Sequence, residues 1–148
     1  MQGRQQGFTL VELIVVIIIL GILAATALPR FLDVTDEART ASIQGFAGGM
    51  RSAVSVVQAG WMARGANSTG VTMADGTVVT VTQTTGLPTG AAAGIGAALR
   101  CEGGTACQGM TVTYGSPTTT FDFSPSVTNC NVTYDETTGN VTATTTGC

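Results

Sequence analysis

GFTLVELIVVIIILGILAATALPRF, from Gly7 to Phe31, is apolar almost throughout, yet it carries one acid, Glu12. Between Phe8 and Leu28 the only polar side chains are Thr9, Glu12 and Thr26. About 20 such residues span a bilayer as a helix, so the stretch reads as a membrane-crossing segment. The seven residues before it, MQGRQQG, are polar apart from Met1 and carry Arg4. A basic flank stays cytoplasmic, which sends the rest of the chain to the far side. A carboxylate near mid-bilayer costs about 2.5–3.5 kcal/mol on insertion scales, so such a group calls for a function and a partner.

Three readings compete. A secretory signal peptide has an apolar core of roughly 7–15 residues and a small-residue cut site. Ala25 and Ala27 offer such a site, with a cut after Ala27 that would leave a secreted domain. The apolar run is long for that purpose, and Glu12 has no use in it. A plain anchor explains the length but again not the acid. The third reading rests on Gly7-Phe8-Thr9-Leu10-Val11-Glu12-Leu13, which resembles the processing signature of type IV prepilins. The resemblance implies that a membrane-bound prepilin peptidase cuts between Gly7 and Phe8 on the cytoplasmic side and then N-methylates the new amine on Phe8. It also implies that Glu12 is the acid which that family keeps at the fifth mature position. A glycine at the cut lets the backbone approach a protease closely, having no Cβ. Further on, ALPRFLDVTDEARTASIQGF (Ala27 to Phe46) is similar to the segment after the membrane helix in mannose-sensitive haemagglutinin (MSHA) type pilins. That similarity fades after Gly49.

Glu12 then acquires a partner. After cleavage, Phe8 carries a positive amine one helical turn from Glu12. In a staggered stack of such helices, the amine of one copy meets the Glu12 of its neighbour. Each buried charge is paired, and half a pair is heavily penalised. An internal pair stays open as well, because positions 8 and 12 are i, i+4 neighbours.

The chain beyond this segment gives a coarser outline. Gly21 and Pro29 predict a kink, since proline removes a backbone hydrogen bond and clashes with the preceding turn. Helical periodicity resumes at Phe31, Val34, Ala38, Ala41, Phe46, Met50, Ala53, Val54, Val57 and Trp61, and the helix is expected to stop between Gly60 and Gly65. Arg30, Asp33, Asp36, Glu37 and Arg39 make a mixed-sign polar face, read equally as solvated or as a source of intersubunit ion pairs. Gly45, Gly48 and Gly49 each cost a helix about 1 kcal/mol against alanine. Close approach of another backbone is one explanation for them and simple tolerance the other.

After Gly65 the period changes to two. Thr77–Gln83, Met110–Gly115, Thr119–Phe123, Asn131–Tyr134 and Asn140–Thr144 read as strands. Turns fall at Gly115–Pro117 and Asp135–Asn140, and Thr89–Leu99 reads as connection. The expected fold is α+β, the pilin fold of the resembled family: a long N-terminal helix, protruding in its apolar half, on an antiparallel sheet of about four strands. Its segments are a leader (1–7), an apolar helix for membrane or fibre core (8–28), an amphipathic helix (29–64) and a β-rich head (65–148).

Cys101, Cys107, Cys130 and Cys148 form an even set, which reads as two disulfides in an exported region. Cys130 and Cys148 flank the last hairpin, and Cys101 and Cys107 bracket a small loop. That pairing is preferred among the three connectivities open to four cysteines.

Composition narrows the function. The 148 residues carry a net charge of −3 and contain neither lysine nor histidine. No clustered basic face is expected, so no nucleic-acid partner is. Zinc ligation lacks histidines and a C-x-x-C pair. Without His or Lys for acid–base or Schiff-base work, no catalytic residue, metal or cofactor is assigned. Three Asn-x-Thr/Ser sequons, at Asn67, Asn131 and Asn140, read as chance in a threonine-rich chain. The leading expectation is a structural subunit, a helical homopolymer forming a surface pilus for adhesion and biofilm formation. A pseudopilin of type II secretion is the alternative, and the domain cut after Ala27 comes third. The resemblance implies as partners further copies of the chain, prepilin peptidase, the inner membrane before assembly, an inner-membrane assembly machinery with an ATPase motor, and a host or surface glycan as receptor. The precursor is then expected in the inner membrane, with its N-terminus cytoplasmic and its head periplasmic. The mature form belongs in an extracellular fibre.

Overall fold

The computed structural model describes residues 9–101 and 104–148, and the side chains of these except 27–33. One helix, α1, covers Leu10–Ala63. Seven strands follow: β1 (Gly70–Thr72), β2 (Val78–Thr80), β3 (Ala106–Cys107), β4 (Met110–Thr113), β5 (Thr118–Phe123), β6 (Asn131–Asp135) and β7 (Val141–Thr144), with a π-helical turn at Ala92–Gly96 before β3. The chain divides into two compact units, 1–37 and 38–148, and the division falls inside α1.

In the first unit the helix is apolar on every side. Leu10, Val11, Leu13 and the run Ile14–Leu20 are all exposed, from 43% at Ile14 to 75% at Leu10. A helix apolar all round is a buried or membrane-embedded one. The helix continues through Gly21 and Pro29 without a break, although Pro29 has no N–H to give the ladder; the side chain of Pro29 lies outside those described. Thr26 donates its hydroxyl back to the carbonyls of Leu23, at 3.0 Å, and Ile22, at 3.4 Å. Such back-bonding competes with the helix ladder and bends helices.

In the second unit, residues Ile43, Ala47, Met50, Val54, Val57 and Trp61 of α1 are buried, a stripe with spacings of three and four. It starts later than the sequence periodicity suggests. Val34, Ala38 and Ala41 are exposed, and Phe46 and Ala53 are only half-buried. Ile43 and Ala47 take the central places instead, fully buried in the cluster that also holds Phe121, Val132 and Cys148.

That layer is two sheets. β1 and β2 form a two-stranded hairpin, and β3 to β7 form a five-stranded antiparallel meander in chain order. The strand expected at Thr77–Gln83 is therefore shorter, and its partner β1 and the two-residue edge strand β3 lie outside the sequence reading. Strands β4 to β7 fall where alternation placed them. Met110, Val112, Phe121, Val132, Tyr134 and Val141 face the core. Thr119 keeps the period of Phe121 but is polar: it is fully buried, its hydroxyl donating to the Gly90 carbonyl at 2.9 Å. Val57, Trp61, Val71, Val79 and Val81 make a second apolar cluster. Gly86 closes it. Its φ is +68°, and a Cβ there would collide with the indole ring of Trp61. Thr89–Leu99, read as connection, contains the π-helical turn, whose Ile95 is buried in the main cluster.

Disulfides join Cys101 to Cys107 and Cys130 to Cys148. The second ties the chain end to the start of β6 across 18 residues. Replacing both Cys130 and Cys148 by serine is expected to cost about 3 kcal/mol by the loop-entropy account, about 10 °C in Tm for a unit of this size. Thermal unfolding followed by circular dichroism reads this directly, and an unchanged Tm would remove the staple role.

Candidate functional site

Gly7 and Phe8 lie outside the described residues. The described site begins at Thr9, the residue before α1. The Thr9 backbone N–H donates to Glu12 Oε2 at 3.2 Å, the Thr9 hydroxyl donates to the same oxygen at 3.1 Å, and the Glu12 N–H donates back to Thr9 Oγ1 at 3.3 Å. This is a capping box: a threonine at the helix start and an acid three residues on satisfy each other's backbone donors. The acid also sits in the first turn, where the helix dipole favours negative charge. The sequence signal, Thr9-Leu10-Val11-Glu12, is a plain T-x-x-E. That signal lies within one turn of the chain and needs no second copy.

The box changes the account of Glu12. The acid has a partner within its own chain, Thr9, whether or not a second copy is present. One carboxylate oxygen takes both Thr9 hydrogen bonds. An ionised carboxylate has room for about four, so capacity remains for a cation.

Leu10 to Thr26 supplies the apolar surface beside this acid. Among the described residues no helix is long and apolar enough to cross a membrane. Phe8, Ala27 and Leu28, the ends of the expected span, are not among the side chains described. Gly21 lies within α1 with nothing within 4 Å of where a Cβ would stand.

In the second unit, polar groups of α1 reach carbonyls of the strand layer. Arg51 donates to Val141 O at 2.9 Å, Gln58 to Thr85 O at 3.1 Å, and the Trp61 indole N–H to Ser68 O at 2.9 Å. Arg39 lies 6.0 Å from the ring centre of Phe123. Glu136 ties three loops. Its carboxylate accepts from the Gly90 N–H and the Ser116 hydroxyl, and its N–H donates to Pro117 O at 2.9 Å. Nothing in DETTGN announces this, because its partners are 20 and 46 residues away. Asp75 pairs with Arg100 at 2.8 Å. Hydrogen bonds from Thr77, and then the Arg100 charge, hold the Asp75 carboxyl below its ordinary range. Asp135 is lowered by Thr137 and Thr138 in the β6–β7 turn. Both contributions are present above the ordinary carboxylate range and fade as pH falls through the depressed values. Burial, aided by Glu136 and Asp135, raises the Tyr134 phenol, which donates to Pro88 O at 2.7 Å. These groups brace the fold, and no nucleophile–base pair arises among them.

Gly45, Gly48 and Gly49 have nothing within 4 Å of their Cβ positions. Among the described residues no other part of the chain approaches them, so close packing there does not explain them.

Residues 2–28 match the family model described as the prokaryotic N-terminal methylation motif. The N-terminal third of the chain is similar to curated relatives. One is a major component of the type IV narrow pilus of Thermus thermophilus, 51% identical over 53 residues, which are 36% of this chain and 46% of that one. Another is a fimbrial protein of Eikenella corrodens, 49% identical over 51 residues, 34% and 33% of the two chains. A third is a type IV major pilin of Neisseria gonorrhoeae, 50% identical over 54 residues, 36% and 33% of the two. The chain thus spans less than half the length of the curated relatives it matches. No solved structure matches it.

Proposed function

From the premise that the N-terminal third of this chain is that of a type IV pilin, we propose that the protein is the structural subunit of a type IV pilus of MSHA-like kind. It polymerises through α1 into a surface fibre for adhesion and biofilm formation. The observation that carries the reading is an apolar helix headed by a single acid, joined to a disulfide-bonded α+β unit. On this reading the chain comprises a leader removed at Gly7, an apolar stem (8–28), an amphipathic helix (29–64) and a head (65–148).

The physical sequence of events follows from the stem. In lipid its apolar surface is already satisfied, so transfer into a bundle of like helices gains little from the hydrophobic effect. Extraction therefore needs work, which an ATP-driven assembly machine in the inner membrane supplies. Outside the membrane each fully exposed Leu, Ile or Val costs about 1.5–3 kcal/mol, and that penalty keeps the fibre closed. Arrival of the Phe8 amine of one copy at Glu12 of another sets the axial register.

Mass spectrometry of the mature protein tests the premise. The expected chain begins at N-methyl-Phe8 and carries both disulfides. A chain beginning at Leu28 would replace the fibre subunit by a secreted domain. Electron microscopy of sheared surface material then separates long pili, the expected result, from the short periplasmic fibre of a pseudopilin.

A further inference from the structure

An open groove of about 650 Å³ runs beside the middle of α1. One wall is Gly45, Gly49 and Ala53 of the helix, spaced by four residues. The other is Leu99, Met110 and Phe123. The helix wall is notched, with open space where two Cβ atoms would stand. The one charged side chain at its rim, Arg100, is paired with Asp75. A charged partner would therefore find no counter-charge there, whereas an uncharged apolar one meets matching walls.

We propose that this groove receives the apolar stem, Leu13 to Leu23, of a second copy of the chain. The inference rests on the fibre reading above and names the surface that the stem meets. Three observations select this occupant. The stem carries large branched side chains on all sides, and such ridges seat in notches left by glycines at four-residue spacing. It is uncharged from Leu13 to Thr26, as the groove requires. Finally, stem and groove are different patches of one chain. A contact between unlike patches is heterologous, and it repeats without closing, generating an open filament. The glycines then have a use: the helix forgoes the better propensity of alanine at these positions, and the neighbour's backbone gains access.

Two measurements test this. Ser42 lines the groove and is exposed, so a photo-reactive residue placed there leaves the fold intact. Irradiated fibres should yield a cross-linked dimer whose second peptide comes from the stem of another copy. Cross-links only to lipid, to an unrelated protein or to a second head would overturn the proposal. In parallel, Gly49→Leu fills the notch from an exposed helix position with nothing within 4 Å of its Cβ. The processed, folded subunit should persist at wild-type level while fibre yield falls at least tenfold, and Gly49→Ala should retain fibres. Wild-type yield from Gly49→Leu overturns the groove but leaves the fibre reading standing. Failure of the wild-type chain to form fibres overturns both.

Discussion

Glu12→Gln is expected to stop fibre formation while leaving membrane insertion and processing intact. Glutamine fits the third position of a capping box as glutamate does, so the start of α1 keeps its hydrogen bonds to Thr9. The charge is what disappears. Without it, the Phe8 amine of the incoming subunit is buried with no counter-ion. Breaking a buried pair in this way costs about 3–5 kcal/mol per contact, on the order of 10²- to 10⁴-fold in the equilibrium of each addition. Thr9→Val is the matched control: it removes the box and keeps the charge. Losing a cap costs about 0.5–2 kcal/mol, so fibres should decline less. Glu12→Val removes both and should be the most severe, although a more apolar segment inserts at least as well. Fibre yield from sheared cells, beside the mass of the membrane pool, gives the ranking. The opposite order, with Thr9→Val blocked and Glu12→Gln normal, would reduce Glu12 to a helix cap.

Phe121→Ala is expected to cost the second unit about 3–5 kcal/mol. Phe121 lies at 0% exposure in the central strand of the five-stranded sheet. Its ring centre is 5.3 Å from that of Phe46 on α1, at 52°, a tilted arrangement that aromatic pairs favour. Removing it opens a cavity between helix and sheet, with Val112 and Val132 on the neighbouring strands in register with it. Domains hold only about 5–15 kcal/mol in total, so this one change consumes a large share. Tm should fall by about 10–17 °C. The weakened unit should also be lost to proteolysis before reaching a fibre. Thermal unfolding of purified subunit checks this, and a loss below about 1 kcal/mol, small for a core truncation, would mean that helix and sheet are held by other contacts.

What the sequence determined by itself is what short-range physics reads. A run of apolar residues from Phe8 to Leu28 needs no partner to declare itself, because lipid or a fibre core responds to its composition. The Gly7–Glu12 signature is contiguous in the chain, so it is legible without any folded partner. Strands β4 to β7 follow from alternation between turns rich in Gly, Pro and Asp, since the pleat imposes its period locally. The capping box is equally local, a T-x-x-E whose hydrogen bonds all lie within one helical turn. Other features needed the fold. Periodicity marks a helix face, but the elements that cover it decide where burial starts. Val34, Ala38 and Ala41 are therefore exposed, while Ile43 and Ala47 are sealed. Strand β3 has two residues and β1 three, too few for a pattern, and they exist because β4 and β2 offer them hydrogen bonds. Glu136 holds Gly90 and Ser116, and Thr119 is buried against Gly90. Contacts between residues so far apart in the chain form only after loop closure, and local sequence has no term for them.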